Sequence, residues 1–220
     1  HMKIVNLCEQ NSVVQQMVAE LRDVRVQADR HRFRWNLQRL GWMTAYEVSK
    51  TLRYERREVQ TPLGTATHQL AADEVVLATI FRAGLPFHRG FLDIFDNAGN
   101  AFISAFRYYT DEAHSDIGVK VEYIASPSLD DKVLLLVDPM LATGNSFDLC
   151  YQAFLDKGTP RSVHFCAVIA SQSAVDHMRE LYGDTDITLW CCAIDPVLNE
   201  NKYIVPGLGD AGDLAFGDKI

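Results

Sequence analysis

Three stretches of the chain carry residue types whose spacing could do chemistry. The first runs Val133-Leu134-Leu135-Leu136-Val137-Asp138-Pro139-Met140-Leu141-Ala142-Thr143-Gly144-Asn145-Ser146. An unbroken apolar run of this kind reads as a buried strand that delivers Asp138 to the edge of a sheet. The loop from Ala142 to Ser146 then opens a helix. Its unpaired backbone N–H groups, the helix dipole and the hydroxyls of Thr143 and Ser146 make a nest for a phosphate, and Gly144 lets the backbone come close. The spacing is not that of the nucleoside-triphosphate loop, because no lysine follows the glycine. A monophosphate held by amides and hydroxyls, beside an acid able to accept hydrogen bonds from ribose hydroxyls, fits a phosphorylated sugar. The alternative is an ordinary strand–turn–helix capped by a hydroxyl.

The second stretch is Ile80-Phe81-Arg82-Ala83-Gly84-Leu85. A guanidinium beside a small-residue turn at a strand end can grip a diphosphate through two parallel hydrogen bonds. Taken alone, the same residues also read as a structural turn. The third stretch, 199–217, holds four glycines and one proline. It reads as irregular, tightly turned backbone that can offer main-chain N–H and C=O groups to a flat ligand, or as a glycine-rich surface tail.

These residues need elements to position them. Helical spacing appears over 13–25, with Val14, Met17, Val18 and Leu21 on one side, and over 30–46, with Phe33, Leu37, Leu40 and Met43. The second of these also holds Arg30, His31, Arg32, Arg34 and Arg39, which read as the solvated face of an amphipathic helix. Apolar runs over 75–81, 101–106, 133–137, 163–170 and 187–194 predict strands. Helices are expected over 147–157, stopped by Gly158, and over 176–182. Strands alternating with helices through short joins predict an α/β fold with a mainly parallel sheet covered on both faces. Ligands of such sheets sit beyond the carboxyl ends of the strands, where Arg82 and Asp138 fall.

The apolar strand, its terminal acid and the Thr-Gly loop together resemble the phosphoribosyltransferases, which bind 5-phosphoribosyl 1-diphosphate. Many members carry two adjacent acids at the strand end. Here Asp138-Pro139-Met140-Leu141-Ala142-Thr143-Gly144 is similar to the uracil phosphoribosyltransferase branch, as are Arg82-Ala83-Gly84-Leu85 and Pro206-Gly207-Leu208-Gly209-Asp210-Ala211-Gly212-Asp213. Arg107 matches a second diphosphate-binding arginine of that family. The resemblance extends from about Tyr46 to Gly217. It implies a mainly parallel sheet flanked by helices, with an N-terminal helical segment and a flap over Tyr108 to Asp116.

For the site, the resemblance implies that Arg82, Arg107, Asp138, Pro139, Met140, Leu141, Ala142, Thr143, Gly144, Asn145, Ser146 and Asp210 contact phosphoribosyl diphosphate. Ile204, Gly209, Asp210 and Ala211 contact uracil. Asp138, Arg82 and Arg107 carry the catalytic roles. Mg²⁺ is the expected cofactor, held mainly by substrate rather than by a protein metal site. The implied reaction turns uracil and phosphoribosyl diphosphate into UMP and diphosphate. Three departures stand out: Pro86-Phe87-His88-Arg89 where the family has small or sulfur-containing residues, Tyr108 to Asp116 where an acidic stretch is common, and Asn145 where glycine is most common. The competing readings are a phosphoribosyltransferase for another base, a regulatory protein that senses UMP or phosphoribosyl diphosphate with little turnover, and an inactive paralogue.

Composition narrows the classes. The 220 residues, 48% hydrophobic and 23% charged, suit one globular domain over 1–220, with His1-Met2 read as a cloning scar. The formal charge of −8 argues against a nucleic-acid binder, which needs a basic face. No apolar run reaches membrane-spanning length, and the N-terminus lacks the pattern of a signal peptide. The five cysteines show no C-x-x-C spacing and read as reduced thiols of a cytoplasmic protein. A homo-oligomer, dimer or higher, is expected, with no nucleic-acid or membrane partner.

Overall fold

The computed structural model describes residues 1–109 and 117–220. A short strand β1 (Lys3–Asn6) leads into three helices, α1 (Val13–Arg22), α2 (Val24–Gln27) and α3 (Arg30–Ser49). The hairpin β2 (Tyr54–Gln60) and β3 (Thr65–Ala71) follows, then β4 (Val75–Phe81), α4 (Gly84–Ile94), β5 (Gly99–Tyr109) and β6 (Ile117–Ala125). The second half runs β7 (Val133–Val137), β8 (Met140–Leu141), α5 (Asn145–Leu155), β9 (Ser162–Ser171), α6 (Gln172–Tyr182) and β10 (Thr188–Asp195). It closes with β11 (Val197–Leu198), β12 (Ile204–Val205) and α7 (Ala211–Phe216).

The central sheet has the order β1-β10-β9-β7-β4-β5-β6, with β8 added beside β9. Its pairings are parallel except β5 with β6. The strand period of two explains why β7 is apolar throughout. Val133, Leu135 and Val137 join the core that contains Leu21, Phe33, Leu37, Phe87 and Phe91. Leu134 and Leu136 join the core on the other face, with Phe147, Phe154, Val175 and Met178. The sheet is thus sealed on one face by α1, α3 and α4 and on the other by α5 and α6. This is the mainly parallel, helix-flanked sheet that the sequence predicts.

Three expectations need correction. The segment after Arg82 is not a bare turn but α4, with Pro86 in its first turn, where a missing N–H does no harm. The glycine-rich stretch 199–217 is not wholly irregular, since it contains β12, paired with β11 just ahead of it, and the helix α7. The basic side of α3 is not simply a solvated face. Arg30 and His31 are exposed. Arg32, by contrast, makes two hydrogen bonds to Glu20, Arg39 donates to Asn36, and Arg34 donates to the Ala215 carbonyl at 2.7 Å. The cations that periodicity places on one side are used to tie α3 to α1 and α7.

Candidate functional site

The parallel strands carry Arg82, Asp138 and Asp195 to the same edge of the sheet, at or just past the ends of β4, β7 and β10. Asp138 is fixed by its backbone, whose N–H donates to the Cys166 carbonyl at 3.1 Å. Its Oδ1 accepts from the Met140 N–H at 3.4 Å. The neighbouring Pro139 carbonyl accepts from both Val168 and Ile169, each at 2.9 Å, which fastens the corner to β9. Asp138 is half-buried, so its carboxylate is held at the rim rather than sealed in the core.

From this corner β8 leads into the loop Ala142–Ser146. The Ser171 hydroxyl donates to the Ala142 carbonyl at 2.6 Å. Gly144 has φ +89° and is the N-cap of α5. A Cβ there would stand 3.0 Å from Met178 Sδ and 3.2 Å from the His177 ring. Backbone conformation and packing against α6 both require glycine. Thr143 Oγ1 accepts from the Asn145 N–H at 3.3 Å. A small concavity is lined by residues 140–144 with Ser146 and Phe147. Asn145 is exposed and begins the helix, so it needs none of glycine's freedom. The loop therefore has the form of a helix-N-terminal anion nest with two flanking hydroxyls.

The Arg82 turn is set against the same corner. Gly84 packs so closely that a Cβ would lie 2.3 Å from Thr79 Oγ1 and 3.2 Å from the Val137 carbonyl. Arg82 then reaches the third stretch: Nη2 donates to Asp213 Oδ1 at 2.6 Å and Nη1 to the Gly217 carbonyl at 3.1 Å. The departure Pro86 to Arg89 lies behind this turn. There His88 is buried, contacts Asn100 Oδ1 at 2.7 Å, and has its pKa lowered by that burial.

In the third stretch Ile204 and Ala211 are buried, and Asp210 caps α7 by accepting from the Asp213 N–H at 2.9 Å. Lys219 Nζ bridges Asp210 at 2.9 Å and Asp213 at 3.0 Å. The hydrogen bond from Lys219, then that from Arg82, holds the Asp213 carboxyl below its ordinary range. A cleft of about 330 Å³ opens beside this segment, lined by Gln27, Arg30, Leu208, Gly209, Asp210 and Leu214 among others.

The structure thus brings Arg82, the Asp138 corner and the Asp210 segment to one edge. Arg107 lies in β5, opposite Val119 of β6. From residue 110 onward the expected flap, Tyr108 to Asp116, lies outside the described residues until 117. Lys219 went unread in the sequence; the paired acids Asp210 and Asp213 are the signal that a cation should be near. The five cysteines offer no activated thiol: even half-buried Cys8 has its pKa raised, first of all by burial. Cys150, Cys166, Cys191 and Cys192 are buried, and burial first of all raises their pKa values, to about 12 for Cys150 and Cys192. Among the described residues, no helix is long and apolar enough to cross a membrane.

Comparison with known proteins gives a consistent result. The family model for uracil phosphoribosyltransferase matches residues 8–218. A uracil phosphoribosyltransferase of Porphyromonas gingivalis is 52% identical, over 100% of both chains. That of Methanothermobacter thermautotrophicus is 40% identical, covering 84% of this chain and 83% of its own. Among solved structures, a protein from Aquifex aeolicus superposes with a TM-score of 0.85 at 29% identity and 99% coverage of each chain. An orotate phosphoribosyltransferase from Mycobacterium tuberculosis, at 13% identity and a TM-score of 0.50, covers 88% of this chain and 95% of its own, and shares the fold. With its three motifs gathered at one sheet edge and the family match spanning nearly the whole sequence, the chain belongs to the uracil phosphoribosyltransferase family.

Proposed function

We infer that the chain is a pentosyltransferase that joins uracil to the phosphoribosyl group of phosphoribosyl diphosphate, releasing diphosphate and forming UMP in pyrimidine salvage. The observation that carries this is the convergence of an anion nest, a rim carboxylate and a turn-mounted arginine on one edge, beside a backbone segment opening on a cleft. In this reading the nest of Thr143, Gly144 and Ser146 holds the 5′-phosphate, and Asp138 accepts hydrogen bonds from the ribose hydroxyls. Arg82 and Arg107 take the diphosphate. The backbone around Ile204 and Gly209–Ala211 faces the base, whose O2, N3–H and O4 form an acceptor–donor–acceptor edge.

The reaction is a displacement at the anomeric carbon. The bond from C1′ to the diphosphate oxygen breaks, the bond to uracil N1 forms, and N1 releases its proton to solvent. Positive charge grows on the sugar while negative charge grows on the leaving group. In this reading Asp138 stabilises the first, and the arginines the second. Mg²⁺ characteristically takes one or two carboxylates together with substrate phosphates. Asp138, half-buried at the rim, supplies hard oxygen donors that fit that role, with most ligands coming from substrate, whereas both Asp210 oxygens are engaged by the Asp213 N–H and Lys219. When bound, the ion neutralises part of the diphosphate charge.

The reading includes a cytoplasmic setting, supported by the buried thiols. It also includes a homo-oligomer, supported by the β2–β3 hairpin. Among the described residues that ribbon is paired only with itself and is exposed along nearly its whole length, and isolated hairpins of this kind are marginal in water. The enzymatic assignment is tested by incubating the chain with uracil, phosphoribosyl diphosphate and Mg²⁺ and separating the products by chromatography. UMP and diphosphate in equal amounts are expected. Orotate or a purine base consumed in place of uracil would overturn the assignment.

A further inference from the structure

The base-facing backbone is held in place by an ion pair that itself lies off the base. Arg22, the last residue of α1, meets Asp195, the last of β10, through two parallel hydrogen bonds, Nη1 to Oδ2 and Nη2 to Oδ1, each 2.7 Å. The same two side chains take both polar groups of one peptide residue. Arg22 Nη1 donates to the Gly207 carbonyl at 2.9 Å, and the Gly207 N–H donates to Asp195 Oδ2 at 2.8 Å. The Asp195 side chain is only 6% exposed. Gly207 has φ +54°, and a Cβ would stand 2.0 Å from the Ile204 carbonyl, so the turn is as tight as a backbone allows.

The next residue is secured from the same side of the molecule. Gln27 Nε2, at the end of α2, donates to the Leu208 carbonyl at 3.0 Å and to the Leu21 carbonyl at 2.7 Å. Two consecutive carbonyls directly ahead of Gly209 are thus gripped by side chains of the N-terminal helices. Main-chain groups cannot be tuned by changing their own side chains. Where they point depends on what holds the backbone. A buried ion pair is a poor way to gain net stability compared with apolar packing, but a bidentate carboxylate–guanidinium pair fixes direction well. Hydrogen bonds to a base lose strength steeply with misalignment, so small shifts of this turn should be felt at the base first.

We propose that Arg22, Asp195 and Gln27 are positioning residues for base recognition: they clamp the Gly207–Leu208 turn so that the following main-chain groups meet the pyrimidine edge. This rests on the assignment of Gly209–Ala211 to the base. It explains why the N-terminal helices, far in sequence from every ligand motif, are packed against the site.

The test is steady-state kinetics of Asp195→Asn, Arg22→Lys and Gln27→Met beside the wild-type chain, with KM measured separately for uracil and for phosphoribosyl diphosphate. Thermal melting of each variant reports folding. Asparagine keeps the shape of Asp195 without its charge. Lysine keeps the charge of Arg22 but cannot span both Asp195 oxygens and the Gly207 carbonyl. The expected result is a rise of at least tenfold in KM for uracil in Asp195→Asn and Arg22→Lys, and of at least threefold in Gln27→Met, with KM for phosphoribosyl diphosphate within about twofold of wild type.

Gln27 belongs to a four-residue helix at the rim, so its variant keeps the question answerable if the ion-pair variants do not fold. Folded variants with an unchanged KM for uracil, or with both KM values raised equally, would overturn the clamp. Turnover of uracil by the wild-type chain tests the functional reading separately. If the wild type used another base, the same ratio measured on that base would still decide the clamp, whereas no turnover with any base would overturn both.

Discussion

Arg82 and Asp213, separated by 131 residues in the chain, lie 2.6 Å apart from Nη2 to Oδ1, and Lys219 Nζ rests on the same carboxylate oxygen at 3.0 Å. The arginine assigned to the diphosphate is therefore already ion-paired to the C-terminal segment. The pair is partly exposed, with Arg82 40% accessible, and contacts of that kind contribute about 0–1 kcal/mol. A diphosphate can displace it at small cost. Asp213→Asn should accordingly change KM for phosphoribosyl diphosphate by less than about fivefold, which is roughly 1 kcal/mol. Arg82→Lys, which loses the planar fork, should raise that KM by about tenfold or more. Steady-state kinetics at fixed saturating uracil distinguish the two. A larger effect from Asp213→Asn than from Arg82→Lys would mean that the carboxylate, and not the guanidinium, meets the substrate.

Asp138→Asn preserves the acceptor for the Met140 N–H, so melting should scarcely change. The charge facing the ribose is lost. The expected penalty is about 2–4 kcal/mol of transition-state stabilisation, read as a fall in kcat/KM of roughly 30- to 1000-fold. A fall of less than about fivefold would remove Asp138 from the reacting site.

Gly144→Val places a branched side chain at φ +89° and against Met178 and His177. It should distort the nest and raise KM for phosphoribosyl diphosphate far more than KM for uracil. Equal increases in both would point to general unfolding of the loop and its neighbours.

Glu20 joins α1 to α3 by accepting from Arg32 and Asn36, and the Arg32 hydrogen bonds, ahead of that from Asn36, hold its pKa down at about 2. A carboxyl with a depressed folded pKa stabilises the fold above its unfolded pKa and loses that contribution as pH falls toward the folded value. The Glu20–Arg32 pair is about as exposed as that of Arg82 with Asp213, so Glu20→Gln should cost no more than about 1 kcal/mol at pH 7. The difference from wild type should shrink between about pH 4.5 and pH 2. Urea unfolding of both chains at pH 7, 4 and 3 measures it. A gap that stayed constant with pH would show that packing, not charge, is responsible.

The strands β4, β7, β9 and β10 were legible because both faces of the sheet are covered, which makes their sequences continuously apolar. The hairpin β2–β3 was not. Nearly all of its side chains are exposed, so Tyr54–Gln60 and Thr65–Ala71 carry no alternation to read. Helix α4 was hidden by Pro86, which looks like a breaker until it is seen in the first turn. At the site, Asp138 and Arg82 stood out because each directly follows an apolar run, and Thr143 and Gly144 because a Thr-Gly loop opens the next helix. Asp195 follows the run 187–194 in the same way, but nothing in the sequence links it to Arg22, and Arg22 and Gln27 carry no local signal at all. Arg22 and Asp195 are 173 residues apart, and Gln27 and Leu208 are 181 apart. Neither pairing leaves a local pattern; only the parallel sheet and the helices packed on it bring them together.

In the proposed function, main-chain groups near Ile204 and Gly209–Ala211 read the uracil edge. Cytosine replaces the acceptor O4 by a donor amine and the donor N3–H by an acceptor, leaving two buried polar groups facing like partners. Each such mismatch costs about 1–3 kcal/mol, and sites built on hydrogen bonds can discriminate by about 10⁴-fold. The direct measurement is diphosphate release from phosphoribosyl diphosphate and Mg²⁺ with uracil, 5-fluorouracil and cytosine in parallel. Uracil and 5-fluorouracil, which share the O2, N3 and O4 edge, should both turn over, with kcat/KM for uracil exceeding that for cytosine by about 10³-fold or more. Cytosine within tenfold of uracil would show that these main-chain groups do not read the base.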